Sequence, residues 1–431
     1  GSSALVPFST MTSESDRDLY LPSTVLVTGY DIIFFWVARM IMAGLEFTGE
    51  APFRQVYFNG IVRDEHGRKM SKSLGNGIDP IDVIEKYSAD ALRFTLVDLS
   101  AEGQDIHLAE RQFELGRNFS NKVWNAFRFL AMQSQSISGA EPLKPDISGV
   151  HELADQWILS RYHKAVDGIT DGLEKYKLHD AMNSVYQFFW SDFCDWYLEL
   201  IKDRLYNGDE KTKKFTLSTA LYVMEGIVKL MHPIVPFLTE EIWQRLKPRK
   251  DGESIMRQSW EYADPAFYDD AADKNMELVK ELIVAIRNIR SEMNVPPARK
   301  TDAVLITPET ATVKLLQNHA SYFKNLARVE TLTVGTKPAK PKLSASAVVA
   351  GVELFVPLEG IIDIEVEKSR LQKEITRLEG QIQGITQKLL NNDFIAKAPP
   401  QVIEKENAKR DNFNHSIEKL QANLKQLNAL G

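Results

Sequence analysis

The chain has 431 residues, 44% of them hydrophobic and 26% charged, with a formal net charge of −7. That length allows about two to four domains with ample core, and the composition excludes a disordered or membrane-embedded protein. The acidic balance excludes a wholly basic nucleic-acid coat while leaving local RNA-binding patches open, and the single cysteine, Cys194, excludes an internal disulfide or a cysteine-rich zinc site.

No apolar run reaches the length of a membrane span, and the N-terminus lacks a charged region followed by an apolar core. A reduced cytosolic compartment is the simplest reading. Gly1-Ser2-Ser3-Ala4-Leu5 begins without methionine, as a tag scar or the cut edge of a longer protein does. Ser23 to Gly29 is β-branched and ends in glycine, the pattern of a buried parallel strand before a βα turn. Asp31 follows, with two compatible roles: a helix N-cap, or a carboxylate that accepts hydrogen bonds from ribose hydroxyls. Ile32 to Leu45 is expected to be a helix too apolar for the surface, with Trp36 either plain core or pocket wall. Gln55 to Val62 is a second strand. In open α/β sheets ligands sit outside the carboxyl ends of strands, where both Gly29-Tyr30-Asp31 and the next segment fall.

That next segment is Gly67-Arg68-Lys69-Met70-Ser71-Lys72-Ser73-Leu74-Gly75-Asn76. Glycine lets its backbone turn tightly, and lysine carries a hydrated charge on a flexible stem that can follow moving phosphates. It lacks the P-loop spacing. The ten-residue string resembles the KMSKS signature of class I aminoacyl-tRNA synthetases. Thr28-Gly29-Tyr30-Asp31-Ile32-Ile33-Phe34-Phe35-Trp36-Val37-Ala38-Arg39-Met40 is similar to the matching segment of the bacterial valyl-tRNA synthetase family. Gly1 and Val6 stand where that family has an aromatic residue and a tryptophan. The resemblance implies that Gly29 and Asp31 contact the adenylate and that Trp36 walls the amino-acid pocket. It also implies that Lys69, Met70, Ser71, Lys72 and Ser73 form the ATP loop, Lys69 and Lys72 being catalytic.

Asp79-Pro80 predicts a capped helix start, and the apolar spacing from Ile81 to Leu99 predicts one helix. Glu110 to Gln135 reads as one long helix that interleaves basic and aromatic residues, a pattern that suits RNA and equally an amphipathic core helix with solvated charges, the commoner case for any single residue. Gly116 to Asn125 resembles the family segment that approaches the inner side of the tRNA, which implies contacts from Arg117, Lys122, Trp124 and Asn125. Ser134 to Val150 is a linker rich in Ser, Gly and Pro. Residues 151–247 are mostly helical, with one helix ending near Met231 and another starting near Thr239 across Pro233 and Pro236. His232 there has two readings, a ligand or a turn histidine, and the lack of a second metal ligand nearby favours the turn. This block resembles the helical anticodon-binding domain of the Val/Ile/Leu synthetases.

Residues 248–275 read as a covering loop. A helix over Glu277 to Met293, four short strands from Ala303 to Val356 and a helix from Ala311 to Leu326 predict a small α+β module. Leu371, Ile375, Leu378, Ile382, Ile385 and Leu389 recur every four and three residues, and Phe413, Ile417, Leu420, Leu424 and Leu427 repeat the pattern. Prolines between these runs forbid one continuous helix, so they fold back as an antiparallel hairpin about 45 Å long at ~1.5 Å per residue. Its tip, Asn392 to Pro399, resembles the C-terminal arm of the valyl family. Lys397, Lys405, Lys409 and Arg410 are placed to meet tRNA phosphates.

The expected fold is multidomain α/β plus α-helical. The resemblance implies the C-terminal part of a Rossmann-like catalytic domain over residues 1–105 and a connecting helix and linker over 106–150. A helical-bundle anticodon-binding domain follows over 151–275, then the α+β module over 276–358 and a coiled-coil tRNA-binding arm over 359–431. It also implies ATP with Mg²⁺, valine and tRNA as ligands, no protein-bound metal, and a monomer. The sequence contains no His-x-Gly-His signature and no inserted editing domain. The chain alone is therefore expected to bind tRNA without activating valine. The alternatives are a freestanding tRNA-binding module and a coiled-coil interaction protein.

Overall fold

The computed structural model describes residues 2–361, 363–391 and 399–430. The fold is mixed α/β, with many helices and small sheets, in two compact units, Gly1–Asp270 and Ala271–Gly431.

In the first unit, α1 (Val6–Ser9) and α2 (Glu14–Tyr20) precede β1 (Ser23–Gly29). A tight turn over Tyr30–Ile32 and one wide helical turn over Ile33–Val37 lead into α3 (Ala38–Thr48). Gly49 ends α3 at φ +77°, a left-handed conformation that costs glycine little because it has no Cβ. β2 (Phe53–Asn59) then runs parallel to β1, from Ser23 opposite Phe53 to Gly29 opposite Asn59. Parallel neighbours need a crossover, and α3 supplies it.

β3 (Val62–Asp64) pairs in parallel with β4 (Ile106–Leu108). The lysine loop, α4 (Pro80–Tyr87) and α5 (Ala89–Asp98) make that second crossover. Asp79 caps α4 by accepting from Ile81 N at 2.8 Å, with Pro80 at the first helical position. The single helix expected from Ile81 to Leu99 is two. Ser88 adopts φ +108°, which breaks the first helix, and its hydroxyl accepts from Ala91 N and caps the second. The expectation that the segment after Asp31 is buried all round also fails. Val37 and Met40 are buried beside Phe53, but Phe34 is 81% exposed and Met42 is 69% exposed. Two strands cover only one side of a helix.

α6 (Phe113–Ser136) packs on α5 where Gly116 meets it. A Cβ there would lie 2.5 Å from the Ala91 carbonyl oxygen. The helical region continues with α7 (Leu153–Glu174), α8 (Leu178–Tyr186), a wide π-type stretch over Gln187–Tyr197, and α9 (Leu198–Asn207). α10 (Glu210–Met231) and α11 (Pro236–Leu246) close it. Cys194 is buried in the π-type stretch, and that burial pushes its thiol up to about 12. His232 takes a hydrogen bond with Thr239 across the proline turn, Nδ1 to Oγ1 at 2.8 Å.

The second unit begins with most of α12 (Asp270–Glu292). A four-stranded sheet follows, built from β5 (Thr301–Ile306), β6 (Val329–Gly335), β7 (Ser344–Val349) and β8 (Val352–Pro357) in the order β6-β5-β8-β7. β5 runs parallel to β6 and antiparallel to β8. The helix expected from Ala311 to Leu326 is split into α13 (Thr310–Asn318) and α14 (Ala320–Ala327), because His319 leaves helical geometry and its ring stacks on Tyr322 at 5.2 Å. α15 (Ile364–Leu390) and α16 (Pro400–Leu430) share a seam of Ile375, Leu378, Ile382, Phe413, Ile417, Leu420 and Leu424. Lys388 of α15 pairs with Glu406 of α16 at 3.2 Å, toward the end where the two helices approach in sequence. Among the described residues no helix is long and apolar enough to cross a membrane.

Candidate functional site

The lysine loop hangs from Asp64, the last residue of β3. This carboxylate is buried, and four donors converge on it: His66 N at 3.0 Å, Arg68 N at 2.8 Å, Arg68 Nε at 2.8 Å and Asn76 Nδ2 at 2.9 Å. A buried charge is tolerable only when so satisfied. The Asn76 amide, followed by the Arg68 and His66 donors, holds the Asp64 carboxyl well below the usual carboxylate range.

Asn76 works in both directions. Its Oδ1 accepts from Ser71 N at 3.0 Å, and its Nδ2 also reaches the Lys69 carbonyl at 3.3 Å. Lys69 bridges back to Arg63, and Gly67 turns the chain at φ +78°. Met70 packs against the core of Val83, Ile106 and Phe113. The backbone of the loop is therefore pinned while Lys69 and Ser73 stay exposed. The Ser71 and Ser73 hydroxyls lie 3.1 Å apart, and Ser71 Oγ accepts from Leu74 N at 3.3 Å. Lys72 opens the short helical turn Lys72–Leu74, and its side chain lies outside the described residues.

The first strand pair ends at Gly29. Asp31 does not cap a helix: it is exposed inside the turn Tyr30–Ile32, and the cap position is Gly29, which makes no side-chain bond. A Cβ on Gly29 would lie 2.6 Å from Asp31 Oδ1 and 3.0 Å from Ile61 Cδ1, so the carboxylate lies against the glycine. Asp105 knits this turn to the root of the lysine loop. It accepts from Tyr30 Oη at 3.2 Å, Ile61 N at 3.0 Å and Arg63 Nε at 2.5 Å, and the Arg63 bond chiefly lowers its pKa. The Gly29–Asp31 turn and the lysine string thus share one anchor. Trp36 is half-buried, donates its indole N–H to the Ser3 carbonyl at 3.1 Å, and packs beside Val37 and Met40.

The residues expected to meet tRNA are less uniformly available. Arg117 lies over the Tyr87 ring at 5.8 Å. Lys122 pairs with Asp195 at 2.7 Å and lies over Trp190 at 4.9 Å, so its charge is already engaged within the helical region. Trp124 packs on Phe127 at 5.3 Å with Arg245 over its ring at 5.8 Å, whereas Asn125 is exposed. On α16, Lys405 is exposed, Lys409 lies 3.7 Å from Glu406, and Arg410 lies 3.7 Å from Asp411. Lys397 falls outside the described residues.

Three family models match the chain. Class I tRNA synthetases (I, L, M and V) match residues 1–109, the anticodon-binding domain of tRNA ligase matches 155–305, and the valyl-tRNA synthetase tRNA-binding arm matches 363–428. The valine–tRNA ligase of Enterococcus faecalis is 42% identical over 433 residues, covering 100% of this chain and 49% of its own length. Those of Geobacillus stearothermophilus and Bacillus subtilis are each 43% identical, over 99% and 98% of this chain and 48% of their own lengths. The chain is similar to valine–tRNA ligases along its whole length. It spans about half the length of the curated relatives it matches. The crystal structure of an Agrobacterium radiobacter LeuRS–tRNA–LeuAMS ternary complex superposes with a TM-score of 0.52 at 17% identity, over 69% of this chain and 39% of the other, a likeness of fold.

Asp64, Asn76 and Asp105 hold the candidate site together, and the sequence reading missed them. Asn76 had a signal, since it closes the ten-residue string. Asp64 ends the strand before the loop, but nothing local shows that four donors will gather on it. Asp105 meets Tyr30 only through the sheet.

Proposed function

We propose that this chain supplies the lysine-loop side of the active site and the tRNA-binding regions of a valine–tRNA ligase. The whole enzyme joins valine to ATP as valyl-adenylate, then passes valine to the terminal ribose of its tRNA. The observation that carries this reading is the Lys69–Ser73 loop, clasped through Asn76 to a buried carboxylate at the carboxyl end of β3.

Adenylation is attack by the valine carboxylate on the α-phosphate with pyrophosphate leaving, and it depends on positioning and charge neutralisation. Lys69 and Lys72 neutralise the triphosphate and the departing pyrophosphate, and Ser71 and Ser73 offer hydroxyls to the phosphates or the loop. Gly29 leaves room for the adenosine side to approach the backbone, and the exposed Asp31 carboxylate accepts from the ribose hydroxyls. Trp36 walls the valine pocket. Mg²⁺ in this reading would come bound to the nucleotide phosphates and would help to neutralise their charge.

Residues 1–105 form the C-terminal part of a Rossmann-like domain and 106–150 its connector. Residues 151–275 form the anticodon-binding bundle, 276–358 the α+β module, and 359–431 an antiparallel coiled-coil arm. Arg117, Lys122, Trp124, Asn125, Lys397, Lys405, Lys409 and Arg410 contribute to tRNA contact, in a monomeric cytoplasmic enzyme.

Two measurements test the reading. Valine-dependent pyrophosphate exchange by the 431-residue chain is expected to match that of its Lys72→Ala variant, since the sequence has no His-x-Gly-His segment. Clear exchange above that control overturns the half-site assignment. In the complete enzyme, Lys72→Ala is expected to lower the adenylation rate far more than it weakens valine binding, because its charge is needed where negative charge shifts in the transition state. A raised KM for valine with an unchanged rate removes Lys72 from its role.

A further inference from the structure

The second unit contains a cavity of about 440 Å³ lined, among the described residues, by three arginines and by no carboxylate. Arg287, Arg290 and Ser291 share one side of the end of α12, at the i, i+3 and i+4 spacing that stacks side chains on a single face, and Asn294 lies in the turn just past it at φ +52°. Arg328 closes the ring from the end of α14, where it holds φ +56°.

Arg290 is buried, yet among the described residues each acceptor it finds is neutral. It donates to Thr301 Oγ1 at 3.2 Å, the Arg299 carbonyl at 2.6 Å and the Pro296 carbonyl at 3.4 Å. Burial, and then the like charge of Arg328, lower its pKa. Arg287 donates Nε to the Leu326 carbonyl at 2.7 Å, which fixes it at the rim, and Arg287 and Arg328 are both exposed there. A buried guanidinium beside a second cation, with no acid among the described residues to offset either, is the reverse of how folds normally house charge. An anion entering the cavity removes the imbalance.

Guanidinium forks match phosphate oxygens two at a time, and Ser291 and Asn294 add neutral donors. We propose that this cavity binds a phosphate group of an RNA backbone, held by Arg287, Arg290 and Arg328. The inference rests on the tRNA-binding function proposed above. RNA is favoured over free phosphate because Arg287 and Arg290 fall within the region that matches the anticodon-binding domain of tRNA ligase. The exposed rim also leaves a chain free to continue on either side.

The test uses the full chain and a valine-accepting tRNA, with affinity measured over a salt series. Arg328→Asn keeps a residue that tolerates the left-handed backbone, and Arg287→Gln removes a rim charge. Each is expected to reduce the slope of log affinity against log salt by about 1, while Lys342→Gln, outside the cavity, leaves it unchanged. A second arm compares melting in inorganic phosphate with melting in chloride at equal ionic strength. Phosphate is expected to raise the melting temperature of the wild type more than that of Arg328→Asn. Unchanged salt slopes in both variants with a retained phosphate effect overturn the RNA assignment in favour of a free-anion site. Unchanged slopes together with an equal phosphate shift in the wild type and Arg328→Asn overturn the site altogether. A wild-type chain that binds no tRNA overturns the proposed function, and this inference with it; tRNA binding that ignores both arginines overturns the cavity alone.

Discussion

Asp155→Asn is the sharpest test of what holds the helical region together. Asp155 of α7 is fully buried, and Arg204 of α9 clasps it with two bonds, Nη1 to Oδ2 at 2.7 Å and Nη2 to Oδ1 at 2.8 Å. Tyr197 Oη adds a third at 2.9 Å, and Arg204 Nη1 reaches Thr216 Oγ1 of α10 at 3.2 Å. One carboxylate therefore ties together α7, the π-type stretch, α9 and α10. Asparagine keeps the shape but removes the charge and turns one acceptor into a donor that faces the guanidinium. Removing one partner of a buried pair costs about 3–5 kcal/mol, mostly because the other charge is left uncompensated. The Arg204 side chain is 14% exposed, so solvent offsets part of that cost and the lower end, ~3 kcal/mol, is expected. That is on the order of a 100-fold rise in local opening. Native-state hydrogen exchange of the α7 and α9 amides reads it directly. The double variant Asp155→Leu/Arg204→Met removes both charges and is expected to lose less than Asp155→Asn alone. Exchange that changes by less than about threefold in Asp155→Asn would falsify the keystone role.

Other outcomes follow from single contacts. Gly116→Ala drives a Cβ to 2.5 Å from the Ala91 backbone oxygen, so α5 and α6 must separate; a loss of about 1–3 kcal/mol in denaturant unfolding is expected, and an unaffected midpoint contradicts it. Burial pushes His163 from 6.5 down to about 4, while its Nδ1 accepts from Asp264 N at 3.1 Å. The unfolded chain takes up this proton first, so the histidine's contribution is full above about pH 6.5 and is lost as pH falls toward 4. His163→Asn is expected to flatten the acid limb of a melting-temperature profile over that window, and an unchanged limb refutes the assignment. Truncation after Glu359 is expected to weaken tRNA binding, most of all at low salt, while the remaining chain keeps its helical signal. Unchanged affinity together with loss of a dimer in sedimentation identifies the two last helices as a clasp instead.

Where a feature depends on neighbours in the chain, it was legible beforehand. The Asp79-Pro80 cap, the strand ending at Gly29, the lysine string between glycines and the apolar repeat that packs α15 on α16 all rest on short-range geometry: a side chain two residues from the amide it caps, a turn that needs glycine, a stripe at helical spacing. The breaks at Ser88 and His319 were not legible, because apolar spacing runs straight across them and only the packed backbone shows the departure from helical angles. Nor was the exposure of Phe34, since a sequence counts apolar residues but not what covers them.

The composition and order of residues by themselves determined which lysines fall between glycines, where helices begin, and which family the chain resembles. Tertiary structure alone decided which charges are held and which are spare. Asp64 acquires four donors, Asp105 joins two strand ends, Lys122 is taken up by Asp195, and Arg290 is buried near Arg328 with no acid beside it among the described residues. The physical reason is that a charge is stabilised by whatever lies within a few ångströms of it, and those neighbours come from elements far apart in the chain that meet only when it folds.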